Sequence, residues 1–185
     1  MNTEQSTYSN FAKLIHLGLA GFGIAAFLTG ELAEDGATTG YLVHAYLGLS
    51  LGAVMLLRLG AGFGHSRCLR FRDWQLFSRE QWRQVLRDIQ SLVRLQVPEA
   101  NHHRGLSGLV QALGLMIFAW MAFSGTGLFL MQDSENAGLF QLVEEAHEIG
   151  ESLIPIYLLL HVAAVILHTL VGKPVWKRMF RFGYR

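Results

Sequence analysis

Leu106–Met131 runs for 26 residues without a charged side chain, and Leu153–Val171 runs for 19. A water-soluble domain has little use for such stretches, whereas a bilayer core asks for about 20 consecutive apolar residues per helix. Two more runs, about 11–30 and 41–63, are apolar except for Lys13 and Arg58 near their ends, where long cationic side chains can snorkel to the interface. With 106–131 and 147–171 they make four expected spans. The first run is too long for the apolar part of a signal peptide, and no A-x-A site precedes Glu31, so it is read as a span. The expected fold is all-α, an integral membrane four-helix bundle forming a single membrane domain over residues 1–185. Composition agrees: 51% of the residues are hydrophobic and 16% charged, against roughly a quarter charged in soluble domains.

The distribution of charge orients this bundle. If the N-terminus is inside, the connection 65–105 and the C-terminus are inside too. All 15 Lys and Arg residues then fall on the inner side. Nine carboxylates fall outside: Glu31, Glu34, Asp35, Asp133, Glu135, Glu144, Glu145, Glu148 and Glu151. The inner side carries +10 and the outer side −9. By the positive-inside rule both termini are cytoplasmic. The expected location is the bacterial inner (plasma) membrane, crossed several times. Within the inner connection, Ser78 and Gln81 form a capping-box signature for a helix over about 79–97. Trp82, Val85, Leu86, Ile89, Leu92 and Val93 share one face of it, with Arg79, Arg83, Arg87 and Arg94 on the others, as in a helix lying in the membrane interface.

The single cysteine, Cys68, excludes an internal disulfide, a cysteine cage for a metal or iron–sulfur cluster, and c-type haem attachment. Histidine is the metal-binding capacity that remains, and it lies inside the spans, where ionisable residues call for a reason. His16 is in span 1, His44 in span 2, and His147, His161 and His168 belong to span 4. Residues 147 and 161 are 14 apart, close to four turns, so they share a face about 21 Å apart along the helix. By depth, His44 matches His147 near the outer surface. His16 matches either His161 or His168 nearer the inner surface. Histidine pairs from facing helices in apolar surroundings are suited to hold b-type haem through both axial positions, with Ala12, Ala20, Gly21, Gly48, Ala164 and Val165 leaving room for the macrocycle. His65, His102 and His103, in the basic loop, are read as facing solvent or headgroups.

These histidines, together with R-L-G-A-G-F-G-H-S-R-C-L-R-F at 58–71, H-R-G-L-S-G at 103–108, S-G-T-G-L at 124–128 and H-x13-H-x6-H at 147, 161 and 168, resemble the bacterial cytochrome b561 family. The similarity spans nearly the whole chain and is greater toward the branch similar to the b-type subunit of nickel–iron hydrogenases. It implies a four-helix bundle holding two haem b groups, with His44 and His147 as axial ligands of the outer haem and His16 and His161 of the inner one. Where relatives usually read H-N-P-L-G, this chain has H-R-G-L-S-G, which brings Arg104 to the inner interface.

Haem iron with two protein ligands has no open position, which leaves outer-sphere electron transfer and no catalytic residue to assign. The expected function is electron transport across the membrane between the quinone pool and an extracytoplasmic redox partner. The nine outer carboxylates suit a basic carrier such as a small c-type cytochrome. His168, Arg104 and Lys173 are candidates for a quinone site at the inner headgroup level, His168 as the titratable group facing a quinone carbonyl. No nucleic-acid partner is expected. Two alternative functions share this architecture: the haem-bearing anchor of a hydrogenase- or dehydrogenase-like complex, and a superoxide:quinone oxidoreductase. The −9 outer face repels the anionic substrate of the second.

Overall fold

The computed structural model describes residues 8–34, 38–64, 69–74, 76–94, 96–98 and 104–180. It is all-helical. Among the described residues, seven helices follow one another: α1 (Asn10–Leu28), α2 (Gly30–Glu34), α3 (Thr38–Phe63), α4 (Arg79–Val93), α5 (Gly105–Met131), α6 (Ala137–Leu170) and α7 (Lys177–Phe180), with one 3₁₀ turn at Phe71–Asp73. Among the described residues, α1, α3, α5 and α6 are long and apolar enough to cross a membrane. They coincide with the four runs, with one difference. The fourth helix begins at Ala137, ten residues before the expected start. Asn136 caps it by accepting the Leu139 N–H at 3.1 Å, and the segment through Glu144 and Glu145 continues the helix. A helix of 34 residues is about 51 Å long, more than a ~30 Å hydrocarbon core needs. Its acidic first turns therefore reach beyond the apolar region.

α3 packs between α1 and α5, and α6 packs on α5. Leu51, Met55, Phe118 and Ala122 form the central core, with Leu19, Phe22 and Tyr157 against it. A second cluster (Ala12, Ile15, Leu69) closes the basic end, and a third (Ile117, Met121, Ile154) joins α5 to α6. Glycine governs the α5–α6 spacing. A side chain at Gly114 would collide with the Tyr157 ring, and one at Gly150 would meet the Met121 sulfur at 2.5 Å. Near Gly150, the Trp120 indole N–H donates to the Ala146 carbonyl at 2.9 Å.

Lys13 and Arg58 do not snorkel. Both are buried, at 2% and 7% exposure. The Arg58 guanidinium donates to the Leu69 carbonyl at 3.0 Å and lies over the rings of Phe71 (5.0 Å) and Trp74 (5.4 Å). A carbonyl and two aromatic faces stand in for water around the cation, so the protein itself provides the solvation that snorkelling would have sought.

The amphipathic helix α4 also differs in detail from its sequence signature. Ser78 caps it through the Gln81 N–H at 3.1 Å, which is half of a capping box. The Gln81 side chain does not turn back to complete the box. It reaches across to the start of α5, where its Nε2 donates to the Gly105 carbonyl (3.1 Å) and its Oε1 accepts the Gly105 N–H (3.0 Å). Asp88 is buried beside it and accepts the Leu106 N–H at 2.9 Å, while Gln84 donates to its other oxygen at 2.7 Å. A neighbouring helix thus supplies the acceptors that the first turn of α5 lacks, with a carboxylate at the positive end of its dipole. The side of α4 that meets the protein is Gln81, Val85 and Asp88. Trp82, Leu86, Ile89, Leu92 and Val93 remain exposed on the adjacent apolar face. The helix ends at Val93, short of the expected 97, with the Gln96 N–H returning to the Ser91 carbonyl at 2.8 Å. Pro98 restricts Val97 to extended backbone and keeps the helix from resuming.

Candidate functional site

The histidines of the spans form two facing pairs. At the acidic end, His44 of α3 faces His147 of α6 with ring centroids 6.3 Å apart and planes at 90°. Toward the basic end, His16 of α1 faces His161 of α6, again at 6.3 Å, with planes at 54°. Depth alone left His168 open as the partner of His16; the ring that faces His16 is that of His161. His168 turns back on its own helix, where its Nδ1 bonds the Ala164 carbonyl at 2.8 Å.

Local structure sets each ring. The Ala26 carbonyl lies in the last turn of α1, where helical partners run out, and it takes the Nδ1–H of His44 at 3.0 Å. A carbonyl can only accept, so His44 carries its proton on Nδ1 and presents Nε2. The Ser124 hydroxyl donates to the Trp120 carbonyl at 2.8 Å and is therefore the acceptor for His147 Nδ1–H, also at 2.8 Å. Gly125 lets that ring lie against α5, since a Cβ there would come within 3.0 Å of His147 Cε1. His161 is fixed differently. The Tyr157 ring, one turn away, stacks on it with centroids 5.7 Å apart and planes 20° from parallel, and meets Phe118 edge-on at 6.1 Å.

Two histidines alone do not make a site for a bare ion such as zinc, which takes four ligands. Among the described residues, no group of three or more His, Cys, Asp or Glu side chains is placed to hold one. Two ligands do suffice for an iron whose other four positions are taken by a macrocycle. The rings of each pair face each other with centroids 6.3 Å apart, so both could bind one iron held between them. Space is present as well: a Cβ built at Gly48, one turn from His44, meets nothing within 4 Å. The residues fit the group.

The remaining candidates do not assemble in the same way. Arg104 stands at the N-terminus of α5, where its carbonyl takes the Ser107 hydroxyl at 3.0 Å. Lys173 joins His168 through the backbone, its N–H bonding the His168 carbonyl at 2.8 Å, and Gly172, at φ +77°, bonds Thr169 at 3.0 Å to close α6. Among the described residues, no hydrogen bond or ion pair joins the side chains of His168, Arg104 and Lys173. His65, His102 and His103 lie outside the described residues. Sequence reasoning missed Ser124 and the Ala26 carbonyl. The first was visible as a hydroxyl in the middle of an uncharged span; the second, a backbone atom, left no trace in the sequence.

A membrane bundle that aligns histidines in pairs across its helices is the framework of a membrane b-type cytochrome. Residues 7–182 match the family profile described as prokaryotic cytochrome b561. The chain belongs to that family, and with it to the haem-binding b-type cytochromes of membrane electron transfer. No curated protein and no solved structure matches it significantly.

Proposed function

We propose that the protein is a di-haem b-type cytochrome that carries electrons across the bacterial inner membrane, between the quinone pool and an extracytoplasmic carrier. His44 and His147 would hold the haem nearer the outer face, and His16 and His161 the inner one. The observation that carries this reading is the presence of two facing histidine pairs, each at 6.3 Å, at different depths of one bundle. Bound haem supplies one-electron exchange at its iron. The chain's part would be to supply two histidines to each iron, which would disfavour oxygen chemistry there, and to hold the two sites at different depths of the membrane. The 14-residue step from His147 to His161 sets them about 21 Å apart along α6. Phe118, the buried Met55 and, packed against them, Tyr157 belong to the apolar core of the bundle.

The charge pattern supports an orientation with both termini cytoplasmic, since every Lys and Arg of the sequence falls in the segments read as facing inward. The acidic end then faces out and favours encounter with a basic carrier such as a c-type cytochrome. At the inner headgroup level, His168 donates Nδ1–H to the Ala164 carbonyl and turns its Nε2 lone pair to a quinol hydroxyl, whose proton it can accept, with Arg104 and Lys173 from the same end of the bundle. His168→Leu is expected to slow haem reduction by a short-chain quinol at least tenfold while both haems stay bound. Stopped-flow reduction together with haem quantification checks this. Unchanged quinol kinetics would remove His168 from the quinone site, and haem loss would make it a ligand.

A further inference from the structure

The two histidine pairs are built alike in separation but not in what lies behind them. At the acidic end, both rings give an N–H to a protein acceptor: His44 to the Ala26 carbonyl at 3.0 Å, and His147 to the Ser124 hydroxyl at 2.8 Å. Ser124 is itself held in place by its bond to the Trp120 carbonyl. Toward the basic end, His161 is steadied by the face of Tyr157, and among the described residues neither His16 nor His161 has a protein hydrogen-bond partner. An acceptor on the far ring nitrogen makes an imidazole more basic and a stronger donor to iron. A stronger donor favours the oxidised, more positive iron and lowers its midpoint potential.

Fixed charge acts in the same direction. His147 stands on α6 among Glu144, Glu145, Glu148 and Glu151, none of which has a Lys or Arg partner within salt-bridge distance among the described residues. The far end of the bundle holds the cations, including the buried Lys13, one turn from His16, and the buried Arg58. Negative charge favours the oxidised state at one site, and positive charge the reduced state at the other; the exposed carboxylates are screened by water, the buried cations much less so.

We propose that the site of His44 and His147 would give its haem the lower midpoint potential of the two, set by Ser124 and the Ala26 carbonyl behind these histidines and by the carboxylates of that end. This ordering rests on the haem ligation proposed above. Ser124 is a positioning residue here, acting on iron only through His147.

The test is a potentiometric titration of the purified protein, followed in the visible haem bands. Two separate one-electron waves are expected, and His161→Leu, which retains only the acidic-end pair, should keep the lower one. Ser124→Ala should raise the reduced-to-oxidised ratio of that haem at fixed ambient potential about tenfold, about 59 mV for one electron, and leave the other wave in place. Ser124→Thr, which keeps the hydroxyl, should restore the original midpoint. Two haems with coincident waves, or a lower wave that is lost in His161→Leu, overturns the ordering. No shift in Ser124→Ala, with both haems bound, overturns the role of Ser124. Fewer than two haems in the unmutated protein overturns the ligation on which the ordering stands, an outcome distinct from two haems in the reverse order.

Discussion

His161→Leu is expected to cut bound haem from two per chain to one and to stop electron transfer between the two faces of the membrane. The reason is geometric. His161 and His16 face each other at 6.3 Å, and Tyr157 stacks on the outer side of the His161 ring, so no second histidine stands ready to replace it. His168 is seven residues away, turned onto the Ala164 carbonyl. The acidic-end pair has its own supports on α1 and α5, the Ala26 carbonyl and Ser124, and should keep its haem. With the remaining site some four helical turns from the basic end, the transmembrane rate should fall by orders of magnitude. His16→Leu should give the same phenotype. Haem extraction and the reduced-minus-oxidised spectrum of each variant read this directly; two haems retained in His161→Leu would disprove the pairing.

The second large effect concerns stability. Gly105 opens α5 at φ +63°, a conformation that costs an L side chain roughly 1–2 kcal/mol. Any Cβ there would also collide with the Asp88 carboxylate and come within 2.9 Å of Gln84 Cγ. Gly105→Val therefore combines backbone strain with loss of the Asp88–Leu106 bond and the paired Gln81–Gly105 bonds. Leaving buried polar groups unpaired adds about 1–3 kcal/mol each, so the variant is expected to lose at least about 3 kcal/mol. α4 should detach first, because these polar contacts and Val85 are its buried face. Faster tryptic cleavage after Arg79, Arg83, Arg87 or Arg94, with a lowered melting temperature in detergent, is the expected outcome. Melting and protection equal to the unmutated protein would show that the latch contributes little.

The spans were legible because the bilayer imposes a length and a composition that few other environments do, and Leu106–Met131 meets both without interruption. Which histidines share a depth was also legible, since helical rise is fixed and the 14-residue spacing on α6 leaves little freedom. Details that depend on a second segment were not. Arg58 lies where its sequence neighbours suggest an interfacial cation, yet Leu69, Phe71 and Trp74 from the following loop fold over it. Gln81 has a local partner in sequence and a better one 24 residues away. α6 begins at Ala137 because a helix cap at Asn136 and a run of helix-forming residues need no apolar character, which was the signal used to find its start.

The most direct test of the di-haem assignment is the reduced-minus-oxidised visible spectrum of the purified protein, with haem and protein quantified on the same sample. The facing histidine pairs predict two low-spin b-type haems per chain. A single haem would leave one pair structural and interrupt the path through the membrane. The absence of low-spin b haem would contradict the assignment of all four histidines.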